Sequence, residues 1–382
     1  MIPYGRQQIS DADIEAVVAV LKSDFLTTGP LVGQFEAAIA NFVQQKDKQS
    51  QQSVAVNSGT AALHCAYFAA GIKPGNEVLA TPLTFAATTN VALHLGATVK
   101  FVDVEPDTGN MNPEALTTLA SERTAAIAAV DFAGRPANIP TLQAIASKHE
   151  AVLIEDASHS FGGSLAGQLV GTLADLTTFS FHPVKPFTTA EGGAVVSAND
   201  NFIERCRLFR NHGIERDPNR HEDKGAPWHY EVQEMGLNYR IPDVLCALGI
   251  SQLSRVRSFL TKRRKVAEFY FKNLADLPGI ELPPRDDEAV SGWHLFVIRT
   301  TDASRREPLF RALREAGIGV QVHYEPVHTQ PLYRRLGYRP GLCPVAEDYS
   351  ARCISLPIFP GINDHDLDRV VEVTRRLVED LL

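Results

Sequence analysis

Residues 151–159 read AVLIEDASH, a short apolar run that ends in two carboxylates. Similar apolar runs recur along the first half of the chain and alternate with stretches of helical spacing, which is typical of βαβ units. The predicted strands are residues 53–56, 77–80, 98–104, 125–132, 151–155, 176–181 and 193–197. The predicted helices are residues 60–71, 84–95, 113–121 and 139–149. This order predicts an α/β fold with a mostly parallel sheet that is covered by helices on both faces.

The segment before the first strand predicts one more helix. Ser10 to Asp13 form a capping box, and the amphipathic helix that follows carries the apolar residues Ile14, Val17, Val18 and Leu21. Residues 214–230 are charged, contain proline and have no period, so they are a loop that either covers a site or lies on the surface.

The second half of the chain predicts a smaller unit. Helices are expected near residues 242–258 and 262–274, and a second αβ unit runs from Trp293 to the amphipathic helix 364–381. A length of 382 residues favours two packed domains over one. We place the boundary near residue 250, with a large N-terminal domain (1–250) and a smaller C-terminal αβ domain (251–382).

Composition excludes several classes of function. The net charge of −8 and the pI of about 5.9 give no basic surface for nucleic acid. No apolar run approaches the roughly 20 residues that a membrane span needs, and Met1 to Arg6 contain no apolar signal core. The cysteines are odd in number and never spaced as CxxC, which argues against disulfides and a metal site and indicates a cytoplasmic protein; they are Cys65, Cys206, Cys246, Cys343 and Cys353.

Two side chains at predicted strand ends carry possible chemistry. Lys185 lies between two prolines in a largely uncharged stretch, where desolvation would lower its pKa and free its amine for imine formation; a solvated surface lysine fits the same pattern. Asp156 ends a buried strand, where its carboxylate can pair with a protonated pyridine nitrogen or cap the next helix. His159 lies three residues after Asp156, where it would either contact a bound ligand or be a buried histidine with its hydrogen bonds satisfied.

The turn NSGTAA, residues 57–62, joins a strand end to a helix start. Free N–H groups at such a turn can bind a phosphate, and glycine allows a close approach. Phe85 begins the next helix at the same sheet edge, where it would stack on a planar ring or pack in the core.

Together these segments resemble the sugar aminotransferase family named after DegT, DnrJ, EryC1 and StrS. The resemblance covers nearly the whole chain, from PYGR at 3–6 and LTTGP at 26–30 to ISLP at 354–357. Within the family, SFHPVKP at 180–186, TTAEGG at 188–193 and QVHYEP at 321–326 are most similar to members that act in pseudaminic acid biosynthesis.

The resemblance implies a fold and a cofactor. The fold is that of the fold type I enzymes (aspartate aminotransferase-like), and the cofactor is pyridoxal 5'-phosphate (PLP), held by Lys185 as a Schiff base and by Asp156 at its pyridine nitrogen. The other implied cofactor contacts are Phe85 and His159 at the ring and Gly59, Thr60 and Ser180 at the phosphate. Asn238 in GLNYR would reach the phosphate bound by a neighbouring subunit, which implies a homodimer with shared active sites.

The resemblance also implies the substrates. The expected reaction moves an amino group from L-glutamate to the C4 ketone of a nucleotide sugar, with UDP-2-acetamido-2,6-dideoxy-β-L-arabino-hex-4-ulose as the expected acceptor. A dTDP-4-keto-6-deoxyhexose, a UDP-4-keto-pentose and the D-configured ketone are the alternatives. The implied substrate contacts are Tyr4, Asp24, Phe25, Leu26, Thr27, Gln321, Val322, His323 and Tyr324, of which His323 and Tyr324 would otherwise pack the two lobes together.

Two rival functions share this fold. A dehydratase that uses pyridoxamine phosphate resembles this chain but carries histidine at the lysine position, so Lys185 argues against it. A non-catalytic regulator is disfavoured by the intact set of Lys185, Asp156 and Ser180.

Overall fold

The computed structural model describes residues 1–45, 49–223, 225–285 and 288–381. The strands, in chain order, are β1 (Gln52–Val56), β2 (Glu77–Ala80), β3 (Thr98–Phe101), β4 (Thr124–Val130), β5 (Val152–Asp156), β6 (Ser164–Leu165), β7 (Gln168–Leu169), β8 (Leu176–Ser180), β9 (Gly193–Ser197), β10 (Ile214–Glu215), β11 (Glu231–Val232), β12 (Ile280–Glu281), β13 (Ala289–Val290), β14 (Phe296–Thr300) and β15 (Cys353–Leu356). The helices are α1 (Asp11–Leu21), α2 (Pro30–Val43), α3 (Gly59–Ala69), α4 (Ala87–His94), α5 (Pro113–Leu119), α6 (Ile139–Lys148), α7 (Asp200–Phe209), α8 (Asp243–Ser254), α9 (Val256–Leu274), α10 (Ala303–Glu315), α11 (Pro331–Arg335), α12 (Pro344–Arg352) and α13 (Asp364–Leu381).

A seven-stranded sheet forms the centre of the molecule, in the order β1-β9-β8-β5-β4-β2-β3. The pairs from β3 across to β8 are parallel, whereas β9 runs antiparallel to both of its neighbours, β8 and β1. The predicted mostly parallel α/β sheet is therefore confirmed. Because β1, β5 and β8 run in the same direction, their carboxyl ends meet at one edge, where ligands of such sheets bind.

Both faces of this sheet are buried, which explains why its strands are continuous apolar runs rather than alternating ones. In β2, Val78 and Ala80 pack into one hydrophobic core and Leu79 into another on the opposite face. In β1, Ala55 likewise points away from Val54 and Val56. Helix α3 packs on the sheet and brings its N-terminus to the carboxyl edge.

The C-terminal part contains an antiparallel three-stranded sheet in the order β12-β14-β15. Residues of α9, α10 and α13 pack with this sheet in a separate hydrophobic core. The other face of β14 contributes Val297 to the core of the large sheet. The division at residue 250 stays a prediction.

The N-terminal helix differs from expectation in the face that it buries. The capping box between Ser10 and Asp13 is present, but Ile14 and Leu21 of the predicted apolar face are 54% and 58% exposed. Helix α1 instead turns Asp13 inward, where this carboxylate forms an ion pair with Arg255 and accepts hydrogen bonds from Ser251 and Gln252. A buried polar network fixes this helix, while its apolar face meets solvent.

The segment predicted as a loop contains a short antiparallel pair, β10 with β11, and one 3-10 turn at Pro218–Arg220. Lys224 of this segment lies outside the described residues. All five cysteines are buried and free. Within the described ranges, no helix is long and apolar enough to cross a bilayer.

Candidate active site

A cavity of about 530 Å³ opens at the carboxyl edge of the central sheet. The ends of β1, β5 and β8 and the starts of α3 and α4 provide its floor, and the C-terminal part of the chain closes it from the other side. The cavity brings together ten of the predicted site residues, which come from six separate segments: Tyr4, Gly59, Thr60, Phe85, Asp156, His159, Ser180, Lys185, His323 and Tyr324.

Asp156 ends β5 with its carboxylate turned into this cavity and only 4% of the residue exposed. Thr88 donates a hydrogen bond to Oδ2 at 2.7 Å, and the Ser158 hydroxyl donates to Oδ1 at 2.6 Å. Thr88 is fixed in turn by the Thr84 hydroxyl at 2.7 Å. Both carboxylate oxygens are therefore held by neutral donors, which orient the group without neutralising it.

The neighbouring carboxylate of Glu155 does not reach the cavity, because successive side chains of a strand point to opposite faces. Glu155 accepts a hydrogen bond from Thr177 at 2.9 Å on the other face of the sheet. Burial raises the pKa of Glu155 to about 7. Of the two acidic residues in the quoted run, only Asp156 lines the cavity.

Lys185 follows β8 on a turn and is half-buried at the cavity wall. Burial lowers the pKa of Lys185 to about 8; Asp156 opposes this effect and Arg263 adds to it. At pH 7 a lysine with a pKa of about 8 is still mostly an ammonium ion, but about a tenth of it is the neutral amine that attacks a carbonyl, which is far more than for an ordinary lysine. Of the two interpretations that the local sequence leaves open for Lys185, the structure favours the desolvated lysine over the solvated one.

Three imidazoles surround the Lys185 amine. His294 Nε2 lies 3.5 Å from Lys185 Nζ, and the His294 ring packs against His159 with ring centroids 4.4 Å apart. His159 Nε2 is 3.0 Å from the Tyr324 hydroxyl. Burial lowers the pKa of His159 and of His294 well below the usual range, and it lowers that of His323 to about 4. At neutral pH these rings are uncharged, so they add no positive charge beside the Lys185 amine.

The predicted phosphate turn lies at the start of α3. The Ser58 hydroxyl accepts a hydrogen bond from the Ala61 N–H at 3.1 Å and so caps the helix. A Cβ on Gly59 would lie 2.8 Å from Ser180 Cβ, closer than real side chains allow. Gly59 therefore permits β8 to approach the helix N-terminus, so that the Ser180 hydroxyl and the free N–H groups of α3 face one space.

The remaining predicted contacts lie outside this cavity in the single chain. The residues of 24–27 are exposed, and Phe25 borders a groove between α1, α2 and α8. Gln321 pairs through its backbone with Ser355, and Val322 packs against the core. Asn238 is exposed and pairs through its backbone with Asn211. Their roles stay predictions.

Several cavity residues have no role predicted from the sequence, and Thr88, Ser158, His182 and His294 are among them. Thr88 lies one helical turn after Thr84, and Ser158 lies two residues after Asp156, so both had a local signal. His294 had none, since it is 109 positions from Lys185 and adjoins a predicted strand of the C-terminal unit.

A second group of titratable residues lies in the 214–232 segment. Ligand atoms of His221, His229 and Glu231 are within 4.8 Å of one another. Glu231 already accepts the N–H groups of Glu222 and Asp223 at 2.8 and 2.9 Å, which organises this segment. The predicted absence of a metal is untested.

The cavity residues fit a planar aldehyde that carries a phosphate. Asp156 offers a fixed carboxylate, Lys185 an amine, and the α3 N-terminus a set of N–H donors. Within the described chain, the Nδ1 atoms of His159 and His294 are buried without a hydrogen-bond partner. Both atoms are therefore free to form a hydrogen bond with a ligand in the cavity.

The comparison with protein families agrees with this geometry. The model of the DegT/DnrJ/EryC1/StrS aminotransferase family matches residues 7–375, and the chain belongs to this family. It is a PLP-dependent sugar aminotransferase of fold type I.

Individual relatives and solved structures align with nearly the whole of this chain. The UDP-4-amino-4,6-dideoxy-N-acetyl-β-L-altrosamine transaminase of Campylobacter jejuni is 39% identical over 99% of this chain and 98% of the relative. Among solved structures, Spr1654 of Streptococcus pneumoniae in its pyridoxamine phosphate (PMP) form aligns over all of both chains with a TM-score of 0.93 and 28% identity. PseC of Helicobacter pylori, an aminotransferase involved in pseudaminic acid biosynthesis, aligns over 99% of both chains with a TM-score of 0.91 and 31% identity.

Proposed function

We propose that this enzyme transfers the amino group of L-glutamate to C4 of UDP-2-acetamido-2,6-dideoxy-β-L-arabino-hex-4-ulose, giving UDP-4-amino-4,6-dideoxy-N-acetyl-β-L-altrosamine. The observation that carries the proposal is the single cavity that holds Lys185, Asp156, His323 and Tyr324. The 39% identity to the Campylobacter transaminase supports this choice of sugar.

The proposed roles follow the positions of the side chains. Lys185 Nζ would hold the cofactor and, as a free amine, would be the base that takes the proton from Cα of the amino acid and the acid that later gives it back. Its lowered pKa supports both roles, because only the neutral amine can attack or accept a proton. Gly59, Thr60 and Ser180 hold the phosphate at the α3 N-terminus, and Phe85, which is 63% exposed beside the cavity, covers the ring.

Asp156 pairs with the ring nitrogen in this proposal. When bound, PLP supplies the electron sink for the charge that develops at Cα. Asp156 keeps the pyridine nitrogen protonated, and the hydroxyls of Thr88 and Ser158 hold its two oxygens in place for that contact. His159 lies beside the ring as a neutral imidazole.

Recognition of the sugar depends on the part of the cavity wall that Tyr4, His323 and Tyr324 form. The Tyr4 and His323 ring centroids lie 5.5 Å apart, and the Tyr324 hydroxyl points to His159. Polar groups that pair with the correct hydroxyl or acetamido group reject an analogue far more strongly than an apolar wall does. We assign this discrimination to these residues, with Asp24 to Thr27, Gln321 and Val322 completing the nucleotide side in the assembled enzyme.

The proposed assembly is a homodimer in which Asn238 reaches the phosphate of the neighbouring site. The exposed apolar residues of the N-terminal segment support it, because Ile14, Leu21, Phe25 and Leu26 are each more than half exposed in the single chain. A cluster of this kind on a globular protein marks an interaction surface.

A panel of keto sugar nucleotides tests the substrate. We expect the highest kcat/KM with the L-arabino ketone and excess glutamate, and an amine whose configuration at C4 is read by NMR. The competitors are the D-configured ketone, a dTDP-4-keto-6-deoxyhexose and a UDP-4-keto-pentose. If one of them wins by more than about tenfold, which is about 1.4 kcal/mol of transition-state binding, the proposed sugar is wrong.

A further inference from the structure

Arg263 lies in the middle of α9 with 1% of its surface exposed. Among the described residues it has the largest side chain that is fully buried. Burying a guanidinium is costly unless hydrogen bonds and an opposite charge compensate it. Yet no carboxylate in the described part of the chain forms an ion pair with Arg263, so carbonyl groups alone compensate its charge.

The carbonyls that Arg263 contacts belong to three segments of the active site. Nη2 donates to the carbonyls of Val184 and Lys185 at 3.1 and 3.4 Å. Nη1 donates to those of Trp293, His294 and Ile358 at 3.1, 3.3 and 3.0 Å. One guanidinium therefore joins the backbone of Lys185 to the backbone of His294, whose ring is in contact with the Lys185 amine.

We propose that Arg263 is a positioning residue whose buried charge, not neutralised by a carboxylate, holds the Lys185 and His294 segments together and favours the neutral form of the Lys185 amine. This inference rests on the proposed role of Lys185 as the cofactor lysine. Arg263 does not line the active-site cavity, so it acts through Lys185 and His294 rather than on a ligand.

The charges around Lys185 give the direction of the effect. Asp156 favours the ammonium form, and Arg263 disfavours it. The imidazoles of His159, His294 and His323 are uncharged at neutral pH because burial lowers their pKa values. Arg263 is thus the fixed positive charge that opposes Asp156, and its removal would raise the pKa of the lysine.

The test measures this pKa directly in the full-length protein freed of cofactor. Lys185 is labelled with trace acetic anhydride over a range of pH, and its labelling rate is read by peptide mass spectrometry. The variants are Arg263→Gln, which removes the charge, and Arg263→Lys, which keeps it without the two-armed contact. Arg264→Gln is the matched control, because it removes one positive charge from the neighbouring, exposed position of the same helix.

We expect a midpoint for Lys185 near pH 8 in the wild type and an upward shift of about one unit in Arg263→Gln, as the removal of a like charge from a protein interior produces. Arg263→Lys and Arg264→Gln should keep the wild-type midpoint. A folded Arg263→Gln with an unshifted midpoint, or an equal shift in Arg264→Gln, would overturn the inference.

Amide hydrogen exchange tests the positioning role of Arg263. It is also the measurement that tests the proposal if Arg263→Gln does not fold. In Arg263→Lys, exchange should rise by about tenfold in the segments around residues 185 and 294, whereas Arg264→Gln should match the wild type. Unchanged exchange, or a raised Lys185 midpoint in Arg263→Lys, refutes the proposal. These readouts do not depend on turnover. If Lys185 is not the cofactor lysine, borohydride reduction of the loaded enzyme shows that separately.

Discussion

Replacing Thr88 by valine tests whether the hydroxyl network behind Asp156 stabilises the site. Thr88 is fully buried, and valine has nearly the same shape, so the change removes one donor without leaving a cavity. The lost contacts are the 2.7 Å hydrogen bond to Asp156 Oδ2 and the 2.7 Å contact with the Thr84 hydroxyl. A hydrogen bond to a charged group contributes about 1.5–3 kcal/mol, and the Thr84 hydroxyl is left without its partner.

We therefore expect the free energy of unfolding of the cofactor-free protein to fall by about 2–3 kcal/mol. The measurement is urea unfolding, followed by fluorescence and circular dichroism to check that the two transitions coincide. Thr89→Val is the matched control, because Thr89 is equally buried but its hydroxyl contacts the neutral Tyr333 hydroxyl. The control should lose only about 0.5–1.5 kcal/mol. A Thr88→Val loss below about 0.5 kcal/mol, or one no larger than the control, would refute this reasoning.

Three further predictions concern the proposed roles. Lys185→Ala should still bind PLP through its phosphate and ring contacts but lose turnover and the visible absorbance of the lysine-bound cofactor; borohydride should fix the label onto Lys185 in the wild type, and a label on another lysine contradicts the assignment. Asp156→Asn should fold but transaminate at least about a hundredfold more slowly, since a neutral partner no longer keeps the ring nitrogen protonated; near-normal rates rule this role out. Mixing Lys185→Ala with Asn238→Ala subunits should restore activity above either parent, because each heterodimer contains one intact site; no recovery after verified subunit exchange places Asn238 in its own subunit's site.

The central sheet and the inner site residues could be predicted because both depend on local patterns. A buried parallel strand is a continuous apolar run, and the polar residue that ends it lies at the ligand-binding edge. Asp156 and Gly59 follow from this rule directly. For Lys185 the local pattern leaves a solvated surface lysine open, and its predicted role depends on the family resemblance.

The parts that the sequence does not reveal depend on contacts between distant segments. His294 and Arg263 are 109 and 78 positions from Lys185, and neither stands in a local pattern that marks a site. The helical period at Ile14 to Leu21 identifies an apolar face but does not show what covers it. In the single chain this face is exposed, and the buried residue of α1 that anchors the helix is Asp13, which forms an ion pair with Arg255. The antiparallel direction of β9 likewise has no signal within its own five residues.

The residues proposed for the amino transfer and the residues proposed for sugar recognition lie in different parts of the structure. The groups proposed for the chemistry stand on the rigid sheet edge, where hydroxyls and buried carbonyl contacts fix Asp156 and Lys185. The groups proposed for the sugar are Tyr4, His323 and Tyr324 of the cavity wall and exposed segments such as 24–27, which the single chain does not bring to the cavity. We expect changes in those segments to alter the preferred sugar without disturbing the proton transfer. In the proposed assembly, the choice of acceptor depends on these residues and on the neighbouring subunit, while the cavity floor stays the same.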